Sequence, residues 1–386
     1  MKNIKSIIII GYCLINVISY FTLIETNNYG NTLNNISISL THSELFLFLI
    51  MSVLSYSVFF IYRDIKYYEC VQVSTSRIID VFFAFVLSYN IFVFYILGIG
   101  RAGTSTSDIG FLQNILPVFQ STLIYYAVVR KNIRKMQVAL LISASIFILL
   151  KGWSSHLFII TVAELLYRYR NQRINFTKKL LLVILLPIFI VLFFYVYKLK
   201  YYFRSGVMFD IPFFIYFEYV ISRLSQISNI AYLYEIRDAF HKIIIENGEG
   251  GEFFIKEFLL ALIPKSFLGI NDYRPLDNLF GINFINSELD NAGFAITVPG
   301  LFVISSTFGL LSVLCCFFFI LLITKFLYHV FSKNYGSAGA AMAISILLYF
   351  NYSGSLKEIA LSLFAFFLFK LLSIFQYNFR KIMKIS

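Results

Sequence analysis

Arg223 lies in the segment 221–229, among apolar neighbours where a free charge is costly and must find an anionic partner or reach water. Glu218 stands five positions earlier on what the spacing predicts is the same polar helix face. Lys265 follows Pro264, and Arg274 precedes Pro275, so both cations sit at rigid turns. Arginine suits two-point binding of phosphate, and lysine supplies a point charge. Together these residues have the chemistry to hold a diphosphate, with Arg223 as the strongest single candidate. Taken one at a time, each reads equally well as a solvated or ion-paired surface cation.

Two shorter segments add candidates. Residues 98–108 place three glycines around Arg101 before a run of hydroxyl residues. Such a turn exposes backbone N–H groups and forms an anion nest, or it is a flexible turn with one interfacial arginine. Residues 151–156 hold Lys151, the single tryptophan Trp153, and His156. A tryptophan there is ordinary membrane-interface chemistry. His156 is a candidate acid or base, against the plainer reading of a satisfied interfacial histidine. Glu164 is expected to pair with Arg168 along one helix. The outer segments contain no His/Cys cluster and no Asp-x-Asp pair, so the sequence predicts neither a metal site nor a cofactor.

The elements that must position these residues are membrane helices. The chain is 59% hydrophobic and 13% charged, with a mean hydropathy of +0.79. Soluble domains carry about 25% charged residues, so this composition is that of an integral membrane protein. Apolar stretches predict about ten spans, near 6–24, 43–62, 78–98, 110–129, 136–150, 156–167 extended at either end, 180–199, 298–323, 337–352 and 358–377. The first is read as a retained span rather than a cleaved leader, because no small-residue cleavage site follows it. With the N-terminus inside, the inner segments collect Lys and Arg, among them Arg130, Lys131, Arg134, Lys135, Lys178 and Lys179. The short outer loops carry only Arg101, Lys151 and Lys357. Both termini are therefore expected in the cytoplasm. The net charge of +12 reflects this topology and does not indicate a nucleic-acid partner.

The predicted organisation is all-α: transmembrane helices 1–7 over residues 1–197, one large outer loop over 198–297, and transmembrane helices 8–10 over 298–386. Within the loop, Asp210 and Pro212 open an expected amphipathic helix over 210–246, lying along the membrane surface or against the other helices. A second helix is expected from about Glu252 to Ile263, and the remainder to Thr297 as irregular chain. Mid-span polar groups are limited to residues such as Asn16 and Asn90.

The run from Ala261 to Pro275, following the amphipathic helix with Arg223, resembles the large periplasmic loop of bacterial O-antigen polymerases. In that family a Pro-Arg segment is followed by Lys-Pro; here the residues are Pro264-Lys265 and Arg274-Pro275. Asn291 to Phe294, Pro299-Gly300 and Phe308-Gly309 are similar to the family's entry into the next span. The family's Gly-x-Arg segment before the third outer loop has no arginine counterpart at Gly152-Trp153-Ser154. The resemblance implies a glycosyltransferase of the bacterial inner membrane that polymerises undecaprenyl-diphosphate-linked oligosaccharide repeat units at the periplasmic face. It further implies surroundings of membrane lipid, a chain-length-regulating co-polymerase and a flippase as partners. Arg223, Glu218 and His156 would then be catalytic, and Arg101, Lys151, Lys265 and Arg274 would hold diphosphate or glycan. An O-antigen ligase, a flippase or other transporter, and a non-enzymatic scaffold remain as alternatives.

Overall fold

The computed structural model describes residues 4–29, 36–61, 77–99, 112–170, 191–199, 202, 212–216, 225–246, 253–263, 267, 274–285, 295–305 and 309–383. Among them the chain is all-α, with one isolated bridge between Asn28 and Ser37 in the first connection. Five helices are long and apolar enough to cross a membrane: Ile4–Thr26, His42–Ile61, Arg77–Tyr95, Val313–Ser353 and Leu356–Phe375. The protein is a membrane protein built on these and on shorter helices between them.

Helix α1 (Ile4–Thr26) shows how such a sequence sorts its faces. Ile9, Tyr12, Asn16, Ser19 and Leu23 recur at three- and four-residue spacing and are buried. Leu14, Ile18 and Phe21 point away from the protein and are more than half exposed. Both faces can be apolar because lipid, not water, meets the outer one. Helices α2 (His42–Ile61) and α3 (Arg77–Tyr95) follow the same plan. The short α4 (Leu112–Ile115) precedes α5 (Val118–Val129), in which every residue is buried. Helix α5 is the centre of the bundle, packed against α3, α6 (Lys135–Leu150), α7 (Ser155–Arg168), α13 (Gly309–Ser353) and α14 (Leu356–Met383).

The expected fourth span, 110–129, is thus interrupted. Pro117 has no N–H to continue a helix, and the Leu116 carbonyl ahead of it, at the break, accepts a bond from Asn90 Nδ2 at 2.6 Å. Helix α6 covers the fifth expected span, while the sixth, expected to extend beyond 156–167, is the 14-residue α7. Helix α13 folds back on itself at Gly336, whose φ of 62° lies in the left-handed region. The reversal brings Gly339 against the Phe331 carbonyl, with room for no side chain: a Cβ would lie 2.2 Å from that oxygen. In a continuous helix the two residues would be about 12 Å apart. Residues Arg134, Lys135 and the Arg130–Asn132 turn lie at the α5–α6 connection, opposite the α6–α7 connection at 151–154.

The long segment departs most from expectation. In place of the single helix expected over 210–246, a helical turn at 213–216 is followed by α8 (Gln226–Glu235) and α9 (Arg237–Glu246), separated at Ile236, and of the two expected placements α8 takes the one against other helices. Helix α8 is not laid on a surface. Gln226, Ile227, Ser228, Ile230, Ala231, Tyr232 and Leu233 are all buried, and α8 packs between α1, α2 and α12 (Val298–Ser305). Its first two N–H groups, on Gln226 and Ile227, donate to Asn16 Oδ1 at 2.9 and 3.2 Å. A side chain in the middle of α1 therefore caps a helix far away in sequence. At the other end, Glu235 accepts bonds from Ser39 N–H and Oγ in the α1–α2 connection. From Asn16 to the end of α1 is about 15 Å, the same as the length of α8. The helix runs from the middle of the bundle to its edge, a half-crossing wedge. The second expected loop helix is α10 (Phe253–Leu260), packed on α14. The stretch expected to be irregular contains α11 (Leu276–Phe280) and a wider π-helical turn over Gly281–Ile285. Phe280 and Phe284 there close an aromatic cluster with Tyr232 and Phe240.

Candidate functional site

Three segments meet on the side of the bundle where the long segment folds in. The α6–α7 connection brings Lys151, the turn ahead of α14 brings Lys357 and Glu358, and α11 brings Asp277. The ammonium of Lys357 acts electrostatically on Lys151, Asp277 and Glu358, and Asp277 acts on Glu358.

Lys151 caps α6, and Gly152 turns the chain with φ 88°. The turn folds the lysine inward, so that it is only 1% exposed, with Nζ 4.8 Å from the Trp153 ring centre and 5.8 Å from Phe147. Aromatic faces offset part of the cost of burying an ammonium. Burial, and then the neighbouring Lys357, push its pKa down to about 8.

Asp277 is in the first turn of α11, which starts at Pro275 with its fixed φ. Its Oδ1 accepts from the Asn278 N–H at 3.0 Å. The Leu276 N–H donates to Glu257 Oε1 at 2.9 Å, which ties α11 to α10. Burial pushes the Asp277 carboxyl above the usual range, against the opposing pull of Lys357 and the backbone N–H groups. Glu358 accepts a bond from the Tyr349 hydroxyl. Lys357 is exposed, while Asp277 and Glu358 keep part of their surface open. The charged groups therefore form a partly open cluster, a recess only in the sense that its inner member, Lys151, is enclosed.

Chemically, two lysines can hold an anion, and a carboxyl with a raised pKa can take a proton from a hydroxyl. The described residues contain no group of three or more His, Cys, Asp or Glu suited to a metal ion.

Of the residues singled out from sequence, Lys151 belongs to this recess. Arg274 is exposed at the chain entry to α11, beside Pro275. His156 has no exposed surface. Its ring meets Phe119 edge-on at 6.1 Å and faces the carbonyls of Ser145 and Trp153, yet neither nitrogen makes a hydrogen bond of normal geometry. Arg101, Glu218, Arg223 and Lys265 lie outside the described residues. Sequence reasoning passed over Asp277, and counted Lys357 among the cations of the short outer loops. The available signal was a charged pair opening an apolar span, and a carboxylate following an Arg-Pro turn. Glu164 is also corrected: its partner is Arg130 on the α5–α6 connection, through Nε and Nη2, with the Tyr126 hydroxyl as a further donor. An arginine across the helix pair offers both oxygens a fork, which Arg168 on the same helix does not.

No protein-family model, curated protein or solved structure matches the chain.

Proposed function

We propose that this protein is a bacterial inner-membrane glycosyltransferase that polymerises undecaprenyl-diphosphate-linked oligosaccharide repeat units at the periplasmic face. In this reading the chain has about ten spans with both termini in the cytoplasm, and the recess faces the periplasm. One observation supports it: Lys357 acts on Lys151, Asp277 and Glu358 together, three segments of the chain sharing one charged neighbourhood. The reaction breaks an anomeric C–O bond whose leaving group is a lipid diphosphate. The lysines would stabilise the charge that develops on the departing oxygen. Asp277 would accept the proton of the attacking sugar hydroxyl as the new C–O bond forms. Arg274 stands near the recess entrance in sequence, and Arg101, Arg223 and Lys265 remain candidates for the rest of the diphosphate and glycan.

The test is the lipopolysaccharide ladder of cells lacking the protein. A single repeat unit on the core, restored to long chains by the gene, supports polymerisation. Absence of any repeat unit points to ligation or flipping, and an unchanged ladder removes this reading.

A further inference from the structure

The turn that carries Lys357 and Glu358 is held from outside its own helices. Gln226, fully buried at the start of α8, donates from Nε2 to the Asn351 carbonyl at 2.7 Å. That carbonyl is in the last turn of α13, where a helix cannot satisfy its own acceptors. Gln226 Oε1 accepts from Ser55 Oγ at 3.1 Å, and Asn351 Nδ2 donates to the same Ser55 Oγ at 3.0 Å. The two amides and the hydroxyl close a ring of bonds joining α2, α8 and α13.

A second clamp lies one helical turn along α8. Asn229 Oδ1 accepts from the Thr297 N–H and Oγ1, both at 3.3 Å, and Asn229 Nδ2 donates to the Ala295 carbonyl at 2.9 Å. The Ile296–Thr297 backbone held in this way lies directly on Gly354. A Cβ on Gly354 would come within 1.6 Å of the Ile296 oxygen, and its φ of 66° also selects glycine. Only Gly354 and Ser355 separate the end of α13 from α14. A displacement at Asn351 or Gly354 is therefore passed to Lys357 and Glu358 with little chain to absorb it.

We propose that Gln226 and Asn229 are positioning residues for the recess: through Asn351 and Gly354 they set where Lys357 and Glu358 stand relative to Lys151 and Asp277. The long segment thereby controls the geometry of a charged group it does not itself carry. The functional meaning of this inference rests on the proposed glycosyl transfer; its geometric content does not.

The experiment follows the pH titration of the Lys151 Cε resonance in the purified full chain labelled with [ε-13C]lysine, assigned by its loss in Lys151→Arg. Burial and the ammonium of Lys357 both lower the Lys151 midpoint. Gln226→Leu and Asn229→Ala should move Lys357 away and raise the Lys151 midpoint by roughly half a pH unit or more. Ile245→Ala, on the exposed side of α9 and in neither clamp, should stay within about a tenth of a pH unit of the parent. If either disruptive variant fails to fold, the other carries the test. For a variant that folds, an unchanged midpoint overturns the positioning role, whatever happens to polymer length. A shifted midpoint with unchanged chain length keeps the positioning and overturns the proposed reaction at this recess.

Discussion

At one end of the bundle Arg130 grips both oxygens of Glu164, Tyr126 adds a hydroxyl, and the guanidinium lies 4.8 Å from the Tyr167 ring centre. Close by in sequence, Tyr125 and Gln137 both donate to Asp80 Oδ1, at 2.8 and 2.9 Å. At the other end Lys151 stands beside Lys357, and Asp277 beside Glu358. The first arrangement pairs opposite charges at two points and, with the Asp80 bonds, ties α3, α6 and α7 to α5. The second gathers two lysines and two carboxyls from three segments, with Lys151 held below and Asp277 above its ordinary pKa. Perturbed titrating groups gathered in this way are a pattern of sites that bind and transform charged substrates. The first region is a structural joint; the second is the candidate site.

Asp277→Asn breaks the second region with the least change of shape. It should lower polymerisation by about a hundredfold or more while membrane levels stay normal, measured as chain formation by purified protein on lipid-linked repeat units. Normal chain length from this variant would take Asp277 out of the chemistry. Lys357→Ala should cost on the order of a hundredfold in the same assay if it holds the departing diphosphate. A fall in protein level in step with activity would instead make Lys357 part of the scaffold.

The joint should respond in the opposite way. Arg130→Ala leaves Glu164 without its fork and should cost roughly 2 kcal/mol of stability, seen as lower yield and earlier thermal unfolding in detergent. Replacing both partners, Arg130→Met with Glu164→Leu, should recover much of that loss. A double variant no better than the single one would show that the pair does more than hold α5 to α7.

The smallest effect sharpens the comparison through pH. Lys151 titrates at about 8, below the ordinary lysine range, so it is charged below that pH and neutral above it. Activity that needs its charge should fall as pH rises through about 8. Stability should move the other way. Between about 8 and the ordinary lysine value the unfolded chain binds the extra proton, so this group's contribution to stability rises with pH. Lys151→Met should remove the alkaline loss, leaving a lower activity that no longer varies across this range. An alkaline limb unchanged in Lys151→Met would assign it to another group.

The membrane helices were legible because lipid tolerates only satisfied backbone, and a run of apolar residues of spanning length has few other fates. The turn at Gly336, the ends of α6, and the helix near 253–260 follow from glycine, proline and hydropathy, which act over a few residues. Lys151 was legible because it stands in a short connection between apolar stretches that otherwise holds few cations. Asn16 and Asn90 were visible as polar groups within spans, but their roles were not. One caps α8 and the other satisfies the carbonyl ahead of Pro117, and each needs a partner far along the chain. The α8 segment has an amphipathic pattern that suits a surface helix and a wedge equally, since a polar face can meet water or buried amides. Only the packing of α1, α2 and α12 around it decided for the wedge. The same holds for the recess: Lys151, Asp277 and Lys357 come from segments that local sequence does not connect, and the tertiary fold alone makes them neighbours.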